Sequence, residues 1–296
     1  MLEACCYEKL ADEKVRCRLC PHTCLILPGR SGICYIRFND GGRLRPLTYG
    51  RVSGMQLDPI EKKPLHYFHP GSKILSVGAI GCNMACFFCQ NWRIAQPKDS
   101  TDERPPRAVE AMTESLSVED LVAEASRLTS AGNIGVAFTY NEPFIWFEYL
   151  LEAAQVLRAA GHKVVLVTNG YICEEPLKEL LPYIDAMNID VKSFSDLAYR
   201  RLGGRLDVVK RTAEVANETA HIELTNLLVP GINTFEAEIT ALVDWIADCL
   251  GSETPLHFSR YLPARRAAMQ ATTSETLSTA RGIASKRLQN VVLGNI

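Results

Sequence analysis

The chain has 296 residues and a formal net charge of −2, enough for a full core in one large α/β domain, alone or with a small appendage. An isoelectric point of about 6.3 and an ordinary globular composition exclude the broad basic field of a nucleic-acid-binding protein. No apolar run reaches the length of a membrane span, and the N-terminus has neither a basic nor an apolar leader region, so a cytoplasmic protein without membrane contact is expected.

Residues 1–70 form a Cys-rich segment with a character of its own. Cys17, Cys20, Cys24 and Cys34 are interleaved with Pro21, Pro28, Gly29 and Gly32. Turn residues dominate, apolar periodicity is weak, and such a segment needs a staple to hold its shape. A four-cysteine metal site would supply it, with zinc or a second iron–sulfur cluster both open. The alternative is four free thiols packed against the rest of the chain. Cys5 and Cys6 are adjacent and ill placed to ligate one metal together. The proline-rich run 57–70 reads as an extended wrap, and its His66 and His69 read as packing or surface residues.

From residue 73 onward apolar strands alternate with helical patterns. Strands are expected over 73–80, 134–139, 163–168, 186–191, 221–229, 256–261 and 291–293. Helices are expected over 117–130, 144–160, 174–181, 196–202, 207–217, 235–250 and 274–287, the first with a capping-box-like Ser117 and Asp120. Residues 97–114, with Pro105 and Pro106, read as a loop. This alternation implies an α/β fold with a parallel sheet and about six βα units: a partial (β/α)6 barrel over 71–296.

In barrels the chemistry gathers at the C-terminal strand ends. The first strand here delivers Cys82, Cys86 and Cys89, spaced four and three apart. Three thiolates can hold three irons of a [4Fe–4S] cubane, and no fourth cysteine follows nearby, so one iron is left open to an outside ligand. A partial zinc site completed by a distant His or Cys is the blander reading. The later strands end in Thr139 to Pro143, Thr168-Asn169-Gly170, Asn188 to Lys192, Thr225-Asn226 and His257 to Tyr261. Each alone is an ordinary turn or cap; together on one rim they mark an active site.

With the aromatic Phe88 before its third cysteine, the triplet resembles the radical S-adenosylmethionine superfamily. Thr168-Asn169-Gly170, Asp190-Val191-Lys192 and Val229-Pro230-Gly231 resemble the pyruvate formate-lyase activating enzymes. Cys17 to Cys24, Leu57 to Leu65, Thr139 to Pro143 and Leu256 to Arg260 resemble the radical enzyme of the AmmeMemoRadiSam system. The resemblance implies that Cys82, Cys86 and Cys89 are catalytic and bind a [4Fe–4S] cluster whose open iron takes the amino and carboxylate groups of S-adenosylmethionine. Reductive cleavage would then yield a 5′-deoxyadenosyl radical that abstracts hydrogen. It implies that Phe88 lies against the adenine, that Asn141 and Glu142 meet the methionyl amino group, and that Thr168, Asn169, Asp190 and Lys192 complete the cofactor site. A low-potential electron donor such as flavodoxin or ferredoxin, and a protein substrate, are the implied partners. Where the family tends to carry histidine, this chain has Leu262. A non-catalytic iron–sulfur or zinc electron carrier is the competing reading; it would want a fourth local cysteine and no polar rim. A zinc-dependent barrel hydrolase has no His-x-x-x-His to support it.

Overall fold

The computed structural model describes residues 2–265, 267 and 269–296. Its centre is an eight-stranded sheet: β1 (Gly54–Pro59), β2 (Lys73–Gly78), β3 (Asn133–Phe138), β4 (Lys163–Thr168), β5 (Ala186–Asp190), β6 (His221–Leu228), β7 (Leu256–Arg260) and β8 (Val291–Gly294). The strands lie side by side in sequence order, the signature of successive βα crossovers. β2 to β8 are all parallel, while β1 runs antiparallel on the outer edge of β2. The helices of the layer are α1 (Pro105–Met112), α2 (Val118–Arg127), α3 (Phe147–Ala159), α4 (Glu174–Leu180), α5 (Asp196–Arg201), α6 (Leu206–Asn217), α7 (Glu236–Trp245) and α8 (Ser274–Ala284).

Strand periodicity of two divides the core. Val136, Phe138, Val164 and Leu166 pack with Leu121, Leu150, Leu157 and Leu177 of the helices. The alternating positions Ile74, Ala137, Val165 and Ala186 form a separate inner cluster with Ile60 and Leu65. Residues 60–67 thus plug the barrel from its N-terminal end. The carboxylate of Glu223 on β6 fastens the plug, accepting the backbone N–H of His66 and Tyr67 at 3.0 and 2.8 Å.

The N-terminal segment adds a three-stranded antiparallel sheet (Tyr7–Lys9, Val15–Cys17, Leu25–Ile26) and a hairpin (Arg37–Asp40 with Arg43–Pro46). Its Val15, Leu19, Ile26 and Leu44 join the main core. A buried Arg37–Glu148 pair at 3.0 Å ties it to α3.

Three expectations change. The wrap contains a strand, β1, so the sheet begins inside the segment assigned to the N-terminal part. Residues 97–114 are not all loop: Pro105 and Pro106 open α1, because proline suits a first helical turn, where its missing N–H would have no partner. The helix expected over 235–250 is α-helical only to Trp245 and closes in one wider turn, Ile246–Leu250. Ser117 caps α2 as expected, accepting the Asp120 N–H at 3.1 Å and donating to its carboxylate at 2.8 Å. No helix among the described residues is long and apolar enough to cross a membrane.

Candidate active site

The expected residues meet at the C-terminal end of the barrel. One cleft is lined by Cys82, Cys86, Phe88, Cys89, Asn141, Glu142, Thr168, Asn169, Asp190 and Lys192. β2, β3, β4 and β5 end there side by side, and each strand end contributes its own polar motif.

The three-cysteine loop is held from several sides. Gly81 turns it at φ 91°, and a Cβ there would lie 2.6 Å from the Cys34 carbonyl, so glycine is required. The Gln96 side chain donates to the Met84 carbonyl, the Ala85 N–H to the Leu202 carbonyl and the Arg265 guanidinium to the Cys86 carbonyl. The Asn83 amide donates to the Tyr171 carbonyl at 2.7 Å, and the ring of His22, from the N-terminal segment, meets the Asn83 carbonyl at 2.7 Å.

Burial pushes all three thiols up, Cys82 well above its ordinary value and Cys86 to about 11. Against this, Lys192 favours the thiolates of Cys86 and Cys89. The Met84 N–H and the Asn169 amide point at the Cys82 sulfur, at 3.4 and 3.6 Å. Thiols so buried ionise when a metal replaces their protons. Among the described residues, no three His, Cys, Asp or Glu side chains form a group that could hold one metal ion. A cubane does not ask for that, since each of its thiolates binds a different iron. The donor set therefore fits a [4Fe–4S] cluster held by Cys82, Cys86 and Cys89.

Glu142 lies beside it, 2 % exposed. Its carboxylate accepts from the Thr168 hydroxyl at 2.6 Å, the Asn169 N–H at 2.8 Å and the Phe144 N–H at 3.0 Å. Burial nevertheless raises its pKa to about 7, because these neutral donors and the more distant Lys192 offset only part of the desolvation. Such a carboxylate is poised to receive a cationic or N–H-bearing group. Across the cleft Lys192 and Asp190 pair at 2.6 Å. Burial alone would lower Lys192, but Asp190 and the Cys86 thiol hold it above its ordinary value. The Asn233 and Asn226 side chains donate to the carbonyls of Lys192 and Val191 and fix that strand end.

Asn141 has a structural task as well. Its amide accepts from the Ala79 N–H at 3.0 Å and donates to the Gly81 carbonyl at 3.1 Å, bracing the entry to the cysteine loop. Phe88 is buried edge-on to Tyr261, whereas Leu262 is 48 % exposed and does not line the cleft. Asn91 and Asn295 also line it, as do Tyr140 and Ser259 of the strand-end motifs, and sequence reasoning assigned none of the four a role of its own. Tyr140 stands within a motif that was recognised; nothing local marks Arg265, which reaches the cysteine loop only through the fold.

Cys17, Cys20 and Cys34 are buried and Cys24 half-buried, all without disulfides. Burial raises Cys20, Cys24 and Cys34, the last to about 11, and Cys17 acts electrostatically on each of them.

A sequence profile described as the Radical SAM superfamily matches residues 77–246, more than half of the chain. An uncharacterized protein of Methanocaldococcus jannaschii is 39% identical over 299 aligned residues, covering 100% of this chain and 86% of that protein. The (2S)-3-sulfopropanediol dehydratase activating enzyme of Klebsiella oxytoca is 23% identical over 154 residues, 50% of this chain and 49% of that enzyme, so the match spans about half of each. A radical SAM methyltransferase from Sphaerobacter thermophilus has a similar fold, with TM-score 0.56 at 15% identity over 76% of this chain and 67% of that one.

Proposed function

The chain belongs to the radical SAM superfamily, and from that premise we propose that it is an activase-like radical enzyme that reductively cleaves S-adenosylmethionine and abstracts hydrogen from a protein glycine or another partner-delivered substrate. The observation that carries this reading is the single cleft in which three free cysteines face a buried glutamate and an Asp–Lys pair. An electron carrier needs no such rim, and among the described residues no fourth cysteine lines the cleft.

When bound, the cluster supplies the electron that breaks the sulfonium bond and an open iron for the methionyl group. The protein's own residues do the rest. Glu142, backed by Thr168 and Asn169, accepts N–H bonds from the methionyl amino group. Lys192, kept cationic by Asp190, offers its charge to the carboxylate. Phe88 supplies an apolar wall for the adenine. The enclosed cleft would keep adventitious hydrogen donors and reductants away from the radical that the cofactor supplies. A low-potential carrier of the flavodoxin or ferredoxin class is the proposed reductant.

The test is anaerobic reconstitution, then reduction in the presence of S-adenosylmethionine. Formation of 5′-deoxyadenosine and methionine is expected; a fully iron-loaded sample that forms neither would refute the reading.

We propose also that Cys17, Cys20, Cys24 and Cys34, which here form no group ready to hold a single ion, close around a second metal site, zinc or iron–sulfur, that stiffens the N-terminal segment against the cysteine loop through His22. A Cys17→Ala, Cys20→Ala double variant is expected to lose either one zinc or about four irons relative to wild type. Unchanged metal content would reject the site.

A further inference from the structure

The segment Leu57 to Leu65 stands out in the sequence, and the reaction described above leaves it without a task. The structure shows a buried charge cluster there, behind the wall of the cleft. Asp58 on β1 is 4 % exposed and Lys63 is 3 % exposed, and their side chains pair at 2.8 Å. Lys62, on the surface, meets the other oxygen of Asp58 at 3.1 Å. The same Asp58 oxygen that binds Lys63 accepts the phenol of Tyr140 at 3.0 Å. The Lys63 ammonium lies 4.9 Å from the centre of the Tyr140 ring.

Tyr140 is in an unusual place. It follows β3 with φ 71°, and the Asn141 N–H donates back to the Thr139 carbonyl at 2.9 Å. A bond from residue i+2 to residue i around a positive φ describes a classic γ-turn, a rare and strained conformation for a side-chain-bearing residue. Strain of this kind persists only where surrounding contacts over-determine it. They do so here at both ends of Tyr140. Its phenol is held by Asp58, and its carbonyl accepts the Asn91 side chain, two residues beyond Cys89, at 2.7 Å. Gly78 of β2 makes room: a Cβ there would lie 2.5 Å from the Thr139 carbonyl and 3.0 Å from the Tyr140 ring. The residues that leave this turn are Asn141, which braces the entry to the cysteine loop, and Glu142.

We propose that the buried Asp58–Lys63 pair is a positioning device: it fixes the Tyr140 phenol, and through it the strained turn that sets Glu142 at its distance from the cysteine loop. The inference rests on the reading of Glu142 as the ligand of the methionyl amino group. Lys63 stabilises the ionised Asp58, Asp58 orients the phenol, and the phenol prevents the turn from relaxing to negative φ. The N-terminal strand β1 thereby becomes part of the cofactor site without touching the cofactor. The two lysines serve different ends. Lys63 is enclosed and compensates the buried carboxylate, whereas Lys62 is 66 % exposed and dispensable.

Tyr140→Phe tests this with the least disturbance, since it removes one oxygen and leaves the Asp58–Lys63 pair intact. Equilibrium binding of S-adenosylmethionine to the reconstituted, unreduced protein is the readout, with iron content and Tm measured alongside. The expected result is binding about tenfold weaker, as when an outer-shell partner is lost, with iron content unchanged. Asp58→Asn should show the same loss, and the double variant should be no weaker than the worse single one, because both act along one path. Where Asp58→Asn fails to fold, with Lys63 left unpaired, Tyr140→Phe alone decides. Wild-type affinity in Tyr140→Phe would overturn the proposal, and so would a lowered Tm with undiminished affinity, which marks a merely structural contact. A wild-type protein that binds no S-adenosylmethionine overturns the underlying reading of the site instead.

Discussion

Replacing Glu142 by glutamine is expected to weaken binding of S-adenosylmethionine about 100-fold while leaving the iron content unchanged. The carboxylate is buried, and every neighbour within hydrogen-bond reach is a donor: the Thr168 hydroxyl and the N–H groups of Asn169 and Phe144. A glutamine keeps the shape but turns an NH2 toward one of these donors or toward the ligand's amino group. Truncating one partner of a buried charged pair costs about 2–5 kcal/mol, which brackets the expected loss. The pH profile gives a second signature. Burial holds the Glu142 pKa at about 7 in the free site. Below that pH the group is protonated and must release its proton before it can accept from the ligand. Affinity should therefore fall as pH drops through 7, by up to about tenfold per unit, and be flat above it. The ligand's own amino group also titrates, so the diagnostic is the difference between wild type and Glu142→Gln. Equal affinity in the two proteins, or parallel pH profiles, would remove Glu142 from the cofactor site. Loss of iron in the variant would place it in cluster binding instead.

Glu223→Ala should have the largest effect on stability, about 3–5 kcal/mol, with no direct effect on the cleft. Glu223 is fully buried at the opposite end of the barrel. It accepts from the backbone N–H of His66 and Tyr67 and meets the Nε2 atoms of His221 and His257 at 3.0 and 2.6 Å. Alanine leaves four polar groups without that partner and releases the plug carrying Ile60 and Leu65. Burial by itself would raise the carboxyl, but the two imidazoles and the two N–H groups bring it down to about 2. A carboxyl depressed on folding contributes its stability in full above the ordinary value near 4.5. That contribution is lost as pH falls through about 2. The gap between wild type and Glu223→Ala should hence close in acid, as pH falls from about 4.5 through about 2. Denaturant unfolding of the two proteins, without cluster and under reducing conditions, measures it. A difference below about 1 kcal/mol would show that the plug is held by packing alone.

Much of this architecture was legible beforehand, and the reason lies in individual strands. Asn133–Phe138 and Lys163–Thr168 are apolar runs bounded by glycine and polar turns, and each is followed by a helix, the first of them entered through a turn that Pro143 opens and Glu142 caps, so local pattern and final state agree. The Cys82, Cys86 and Cys89 spacing carries its own chemistry, because thiols confined to one short loop suit a cluster before any fold is known. The misses have equally local causes. Gly54–Pro59 is an exposed edge strand without clean alternation, and its identity comes from pairing with Lys73–Gly78. Pro105 and Pro106 can open a helix or break one, and the following residues decided it.

Sequence alone determined the alternation of strands and helices, the three-thiol loop and the polar residues at the strand ends, since periodicity, spacing and residue chemistry are properties of neighbours along the chain. Only the tertiary structure decided what those residues face. It turned the Glu142 carboxylate onto Thr168 and Asn169, gave Asn141 to the cysteine loop, and joined Asp58 to Tyr140 across 82 positions. It also brought Glu223 to His66 across 157. Long-range partners follow from how the sheet closes and what each group loses on leaving water, and no stretch of sequence records that by itself.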